Sequence, residues 1–154
     1  MLQHTNSLTV PADLEETWEF FSKPANLKLL TPPDMELKMA TDGMEDIYEG
    51  LLLYFKVSPL MGIPLNWETI ITEVKKPHRF VDKQHKGPFA YWRHEHIFEP
   101  AKNGTTITDR LTYKMPFGPI GKLAHPVLVK GKIKELFEYR KQKIDQLFGL
   151  VEPK

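Results

Sequence analysis

Two histidines on one predicted strand and an aspartate on the next are the residues whose types and spacing could support chemistry. His94 and His96 are two positions apart, so they lie on the same face of a strand over residues 89–98. Two imidazoles at this spacing can bind one metal ion, and Asp109 could supply a third ligand. The pattern is short and has no companion such as an H-E-x-x-H motif, so we expect no metal and no other cofactor.

The same residues could instead perform acid–base catalysis. Asp109 would orient His96, and Tyr113 would donate a hydrogen bond to an enolate, as a cyclase or dehydratase requires. Alternatively, the aspartate and the histidines only satisfy one another and fix the register of their strands. Nothing in the sequence shows that these groups converge on a substrate. We therefore expect binding rather than catalysis, and an enzymatic activity stays open.

The strands that carry these residues are expected to form a hairpin. Its turn lies either at Asn103-Gly104 or over residues 101–104, which places Phe98 or His96 opposite Asp109. Both registers bring the same two faces together. Charged and polar groups then share an otherwise apolar inner face, which is unfavourable unless they are paired.

Seven strands are predicted, and short connections between them imply antiparallel neighbours. They are placed at Leu2–Val10, Met35–Met39, Ile47–Val57, Leu65–Val74, Arg79–Lys86, Phe89–Phe98 and Thr105–Met115. Two short helices follow the first strand. One begins after Asp13 and carries Trp18 on its apolar face, and the other spans about Asn26–Leu30.

A long amphipathic helix over Gly118–Phe148 is predicted to close the chain. Apolar residues recur in it at steps of three and four, and lysines occupy the positions between them. Pro126 is expected to break or kink the helix, so that its firmest part follows the proline. A sheet packed against this helix makes an α+β fold.

Composition restricts the classes of function. The 154 residues predict one domain over residues 1–150 with a tail at 151–154. The chain has no cysteine, which excludes thiolate chemistry and is typical of a reducing compartment, so we expect a cytoplasmic protein. A net charge of +1 predicts no nucleic-acid binding. We also expect no signal peptide and no integral membrane segment.

The strand order and a set of motifs resemble the START-like superfamily. The motifs are Phe80-Val81-Asp82, Gly87-Pro88-Phe89, Trp92, His94, His96, Phe98, Asp109, Tyr113, Pro116, Gly118-Pro119 and Phe137-x-x-Arg140. Within the superfamily, the chain is most similar to the bacterial ligand-binding proteins also called SRPBCC, or polyketide cyclase/dehydrase and lipid-transport, proteins. The resemblance implies a helix-grip fold, in which a curved seven-stranded antiparallel sheet grips a long C-terminal helix above a deep apolar cavity.

This resemblance implies that a small hydrophobic or amphipathic ligand, lipid-like or a polyketide-like aromatic, binds between sheet and helix. The expected binding residues are Trp67, Trp92, His94, His96, Phe98, Asp109, Tyr113 and Phe137. The apolar loop Pro59–Pro64 would lie at the cavity rim and could gate it. Arg140 is expected to pair with the sheet or to reach into the cavity. The alternatives are the enzyme described above and a protein-interaction module with a filled cavity. A monomer or weak homodimer is expected.

Overall fold

One antiparallel sheet facing a long C-terminal helix makes up the structure, a computed structural model that describes residues 1–58, 62–115 and 126–151. The strands are β1 (Leu2–Val10), β2 (Lys38–Met39), β3 (Leu52–Val57), β4 (Leu65–Lys75), β5 (Arg79–Lys86), β6 (Tyr91–Ala101) and β7 (Gly104–Lys114). The helices are α1 (Leu14–Phe21), α2 (Pro24–Leu29) and α3 (Pro126–Phe148), with a 3-10 turn at Pro33–Met35. The predicted α+β helix-grip fold is confirmed.

The seven strands are ordered β1-β7-β6-β5-β4-β3-β2 in a single sheet. Strands β2 to β7 follow one another as antiparallel neighbours, and β1 closes the sheet by pairing with β7 from Leu2↔Tyr113 to Val10↔Thr105. Because β6 and β7 each have neighbours on both sides, the polar residues on them are held in the interior of the sheet rather than at an edge.

The β6–β7 hairpin has the second of the two predicted registers. Ala101 pairs with Gly104 across the turn, and His96 pairs with Asp109. Gly104 has φ +153°, and a Cβ built on it would lie 1.8 Å from the carbonyl oxygen of Val10. Only glycine fits this close approach between the hairpin and the end of β1, so this glycine helps to fix where the hairpin turns.

Several boundaries differ from the prediction for local reasons. Helix α2 begins at Pro24, two residues earlier than predicted, because proline is favoured in the first turn of a helix. The predicted strand Met35–Met39 is reduced to β2, since Met35 ends the 3-10 turn. Strand β6 begins at Tyr91 because the Gln84 side chain, rather than a neighbouring strand, bonds both backbone polar groups of Phe89.

Helix α3 confirms the predicted C-terminal helix over residues 126–148, and the predicted portion at 118–125 lies outside the described residues. Its buried stripe consists of Val129, Ile133, Phe137, Arg140 and Ile144, spaced as one face of a helix. Within the described ranges, no helix is both long enough and apolar enough to cross a bilayer.

The core between sheet and helix is divided by a layer of polar side chains. One apolar cluster contains Val10, Ala12, Trp18, Phe21, Leu30, Phe80, Phe98, Ile107 and Ile144. The other contains Leu111, Tyr113, Val129, Ile133 and Phe137. Along β6, β7 and α3, the residues between the two clusters are polar. We refer to Asp82, His94, His96, Asp109 and Arg140 as the polar layer.

Candidate functional site

The polar layer is assembled by alternation on three neighbouring strands and by one helical position. Asp82 on β5 is in register with His94 on β6, and His96 is in register with Asp109 on β7. Arg140 is brought over the sheet by the buried stripe of α3. Four of the five residues are at least nine-tenths buried, and the Asp82 side chain retains 19% exposure.

Each histidine bonds a carboxylate diagonally across the strands. His94 Nε2 lies 2.8 Å from Asp109 Oδ1, and His96 Nε2 lies 2.5 Å from Asp82 Oδ2. The two imidazole rings stack with their centroids 3.8 Å apart. His96 Nδ1 is 3.6 Å from Asp109 Oδ1, beyond hydrogen-bonding distance. The carboxylate that orients His96 is therefore Asp82, whereas the acid–base hypothesis assigns that role to Asp109.

Burial and pairing set the ionisation of the layer. Burial lowers the pKa of His96 to about 4, and the neighbouring His94 lowers it as well, against the opposing effect of Asp82 and Asp109. Burial alone would raise the pKa of Asp109, but the Arg140 charge and the hydrogen bond from His94 outweigh it and hold that pKa well below its ordinary value. For Asp82, burial likewise raises the pKa, but the hydrogen bond from His96 together with the charges of His96, His94 and Arg140 outweighs it, so that the pKa is lowered. At neutral pH the carboxylates are ionised and His96 is neutral.

Arg140 is the least satisfied member of the layer. Its Nη2 atom lies 3.6 Å from Asp109 Oδ1, which is an ion pair but too long for a hydrogen bond. Its buried Nε has no hydrogen-bond partner among the described residues. Arg140 was predicted to pair with the sheet or to reach into the cavity. In the structure it pairs with Asp109 on β7 and also lines the cavity described next.

A cavity of about 260 Å³ lies between the sheet and α3. Its walls come from the inner faces of β3 to β6, from the segment Phe21–Leu37, and from α3. Most of the lining is apolar or aromatic, including Leu53, Phe55, Trp67, Ile71, Phe80, Phe89, Trp92, Ile133, Leu136 and Phe137. Asp82, His94, His96 and Arg140 form a polar patch of the wall, and the buried hydroxyl residues Ser22, Thr31 and Thr69 also line the cavity. The cavity thus has a mainly apolar lining with a charged, hydrogen-bonding patch, as small-molecule sites commonly do.

Comparison with known proteins places the chain in a family. Residues 9–148 match the family described as Domain of unknown function (DUF8410). The chain belongs to this family. No curated protein matches it.

Solved bacterial structures resemble this DUF8410 chain over almost its whole length. Ms6760 from Mycobacterium smegmatis is 21% identical, with 95% of this chain and 90% of that one covered and a TM-score of 0.68. CV1439 from Chromobacterium violaceum is 12% identical, with 96% of each chain covered and a TM-score of 0.72. TTHA0849 from Thermus thermophilus is 19% identical, with 94% and 95% covered and a TM-score of 0.65. At these identities the similarity establishes the fold alone.

The predicted site residues of the DUF8410 chain separate into two groups. Trp67, Trp92, His94, His96 and Phe137 line the cavity. Phe98, Asp109 and Tyr113 are not part of its described lining. Phe98 packs against Trp18 in the first apolar cluster, Tyr113 packs against Phe89 and Trp92 in the second, and Asp109 contacts the cavity only through the side chains that it orients.

Asp82 is absent from the predicted site residues, and the alternation of β5 could have indicated it. Phe80 and Asp82 share a face of β5, and Phe80 stacks on His96 at 4.0 Å, so the same face contacts the histidines. The segment around α2 also lines the cavity and carries no sequence signal for this. In the predicted gating loop, residues 59–61 lie outside the described residues, and Ile63 is 53% exposed.

Proposed function

We propose that the protein binds a small, mainly apolar molecule in the cavity between the sheet and α3, with a polar end directed at the polar layer. The observation that carries this proposal is the cavity itself, whose volume of about 260 Å³ is not filled by side chains. Binding sites for small molecules span roughly 300–1,000 Å³, so the ligand should be near the small end of that range.

The composition of the wall supports an amphipathic ligand. Aromatic rings at Trp67, Phe89 and Trp92 form one contiguous surface, with centroid distances of 4.7 to 5.7 Å. Such rings offer a large apolar contact area to a flat or aliphatic molecule. Elsewhere on the cavity wall, the neutral imidazole of His96 and the guanidinium of Arg140 can bond a polar group of the ligand.

The chain is also proposed to be a member of the START-like superfamily, which its motifs resemble and with which the helix-grip fold agrees. The acid–base alternative has less support, because Asp109 and Tyr113 are not in the described cavity wall. An interaction module with a filled cavity has less support as well, since the space between sheet and helix is open. Ligand binding is the function that agrees best with these observations.

Binding can be tested with N-phenyl-1-naphthylamine, an uncharged probe whose fluorescence rises in apolar surroundings. Leu53 lines the cavity, whereas Leu52 beside it is 36% exposed on the opposite face of β3. We expect saturable binding to the native protein, much weaker binding to Leu53→Trp, and unchanged binding to Leu52→Trp. Direct excitation of the probe removes any contribution from the added indole. Equal binding by the two variants, or no saturable binding to the native protein, would overturn the proposal.

A further inference from the structure

We propose that Asp82, His94 and His96 form a binding site for a divalent transition-metal ion. One potential ligand atom from each residue lies within 4.8 Å of those from the other two. Zinc binds nitrogen and oxygen ligands at roughly 2.0–2.2 Å, which separates two ligands of one ion by roughly 3–3.5 Å. Side-chain shifts on the order of one ångström would therefore complete the site. The proposal does not depend on the apolar ligand.

The geometry already brings two ligands together. His96 Nε2 and Asp82 Oδ2 approach to 2.5 Å, with one proton to share between them. A metal ion can replace that proton, since an ionised carboxylate and a neutral imidazole are both ligands for zinc and for iron(II). The third metal ligand is therefore Asp82, whereas the sequence pattern suggested Asp109 for that role. The expectation of no metal rested on the two histidines and did not include Asp82.

Asp109 fits the role of a supporting carboxylate behind the ligands. Its Oδ1 atom is bonded by His94 Nε2 at 2.8 Å, which leaves His94 Nδ1 as the atom available to a metal. A ligating histidine commonly donates its other ring N–H to a carboxylate, which fixes its tautomer and orientation. Arg140 lies 3.6 Å from the same oxygen, so Asp109 has its own counter-charge.

The charge balance around Asp82 favours binding of a cation. The polar layer contains two carboxylates and one guanidinium, so its net charge is −1 when both imidazoles are neutral. The guanidinium of Arg140 forms its ion pair with Asp109. A carboxylate that is largely buried and has no permanent counter-charge is unfavourable. A divalent ion at Asp82 would supply that counter-charge.

The donor set and its position indicate what kind of metal site this is. Two imidazoles and one carboxylate suit Zn²⁺ or Fe²⁺ better than Ca²⁺ or Mg²⁺, which prefer oxygen ligands. Three protein ligands leave at least one coordination position free. Because all three residues line the cavity, that position faces the cavity, where the polar end of a small molecule could reach it.

The test uses Zn²⁺ and Co²⁺ alone, added to the 154-residue chain after removal of metal with a chelator. We expect calorimetry to show one Zn²⁺ per chain and Co²⁺ to produce a visible ligand-field spectrum. Asp82→Ala and His94→Gln should each lower affinity at least about tenfold, and Asp109→Asn about 10- to 100-fold. Glutamine at position 94 keeps a donor towards Asp109 but removes the Nδ1 ligand, so this variant separates metal binding from folding.

His85→Ala is the matched control, because His85 is an exposed histidine on the same strand as Asp82. Its affinity for Zn²⁺ should equal that of the native protein. Circular dichroism of each variant confirms that it is folded. Absence of saturable Zn²⁺ binding to the native protein, or undiminished affinity in His94→Gln and Asp82→Ala, would overturn the proposal.

Discussion

Lowering the pH from 7 to 5 should destabilise the protein by about 2 kcal/mol through His96 alone. Burial lowers the pKa of His96 from 6.5 to about 4 in the folded protein. As the pH falls below 6.5, the unfolded chain therefore binds a proton at His96 that the folded chain does not bind. Each pH unit in this window costs about 1.4 kcal/mol of unfolding free energy, and about 1.5 units separate 6.5 from 5.

Neither His4 nor the two carboxylates of the polar layer reverse this trend. Burial also lowers the pKa of His4, despite the opposing charge of Asp109, so His4 adds to the loss in the same direction. The pKa values of Asp82 and Asp109 are lowered in the folded protein, so the stability that they contribute is lost only below about their unfolded value of 3.8. Among these four groups, the change in stability between pH 7 and 5 therefore comes from His96 and His4.

Urea unfolding at pH 7, 6 and 5, in the presence of a chelator, measures this loss. His96→Gln should abolish most of the roughly 2 kcal/mol loss of unfolding free energy, while the glutamine amide keeps a hydrogen-bond donor towards Asp82. His85→Gln changes an exposed histidine and should leave the loss intact. The quantity compared is the change in unfolding free energy between pH 7 and pH 5 for each protein. A destabilisation that is the same at every pH therefore does not affect the comparison. The reasoning is refuted if the native protein and His96→Gln lose the same free energy between pH 7 and 5.

Three further substitutions test the packing around the site by thermal unfolding. Asp109→Ala removes the acceptor of His94 and the counter-charge of Arg140 and should cost about 1–3 kcal/mol for each group left unsatisfied, so an unchanged midpoint would contradict the pairing. Gly104→Ala should destabilise by more than about 1 kcal/mol, because its Cβ would meet the Val10 carbonyl. A Cβ added at Gly131 in α3 would have no neighbouring atom within 4 Å, so Gly131→Ala should stabilise the protein by about 0.5–1 kcal/mol.

The sequence predicted those features that depend on local pattern. Alternation placed Trp92, His94 and His96 on one face of β6, and the structure has the same arrangement. The turn chemistry near Gly104 restricted the hairpin to two registers, one of which is observed. Both signals act over a few residues, which is the range at which strand and turn preferences operate.

Features that depend on the pairing of β5 with β6 could not be predicted. The connection over residues 87–90 is held by side-chain bonds from Gln84, so its length does not fix the register that sets Asp82 beside His94. For the same reason, the sequence indicated only Asp109 as a carboxylate near both histidines. A single aspartate on a strand has many possible environments until its neighbours across the sheet are known.

The cavity and the position of Arg140 depend on how separate elements pack. The helical pattern predicted the buried stripe of α3, but an arginine within it is compatible with either a surface or an interior position. The volume that stays empty depends on the distance between α3, the α2 segment and the sheet. No periodicity in the chain encodes that distance.

Native mass spectrometry, compared with the denatured mass, tests most directly whether the cavity holds a ligand. The protein is purified without detergent or organic solvent and incubated with a small-molecule extract of whole cells. Native protein and Leu52→Trp should both carry a small added mass that is lost on denaturation, and Leu53→Trp should lack it. A bare mass for the native protein, or the same adduct on Leu53→Trp, would contradict ligand binding between the sheet and α3.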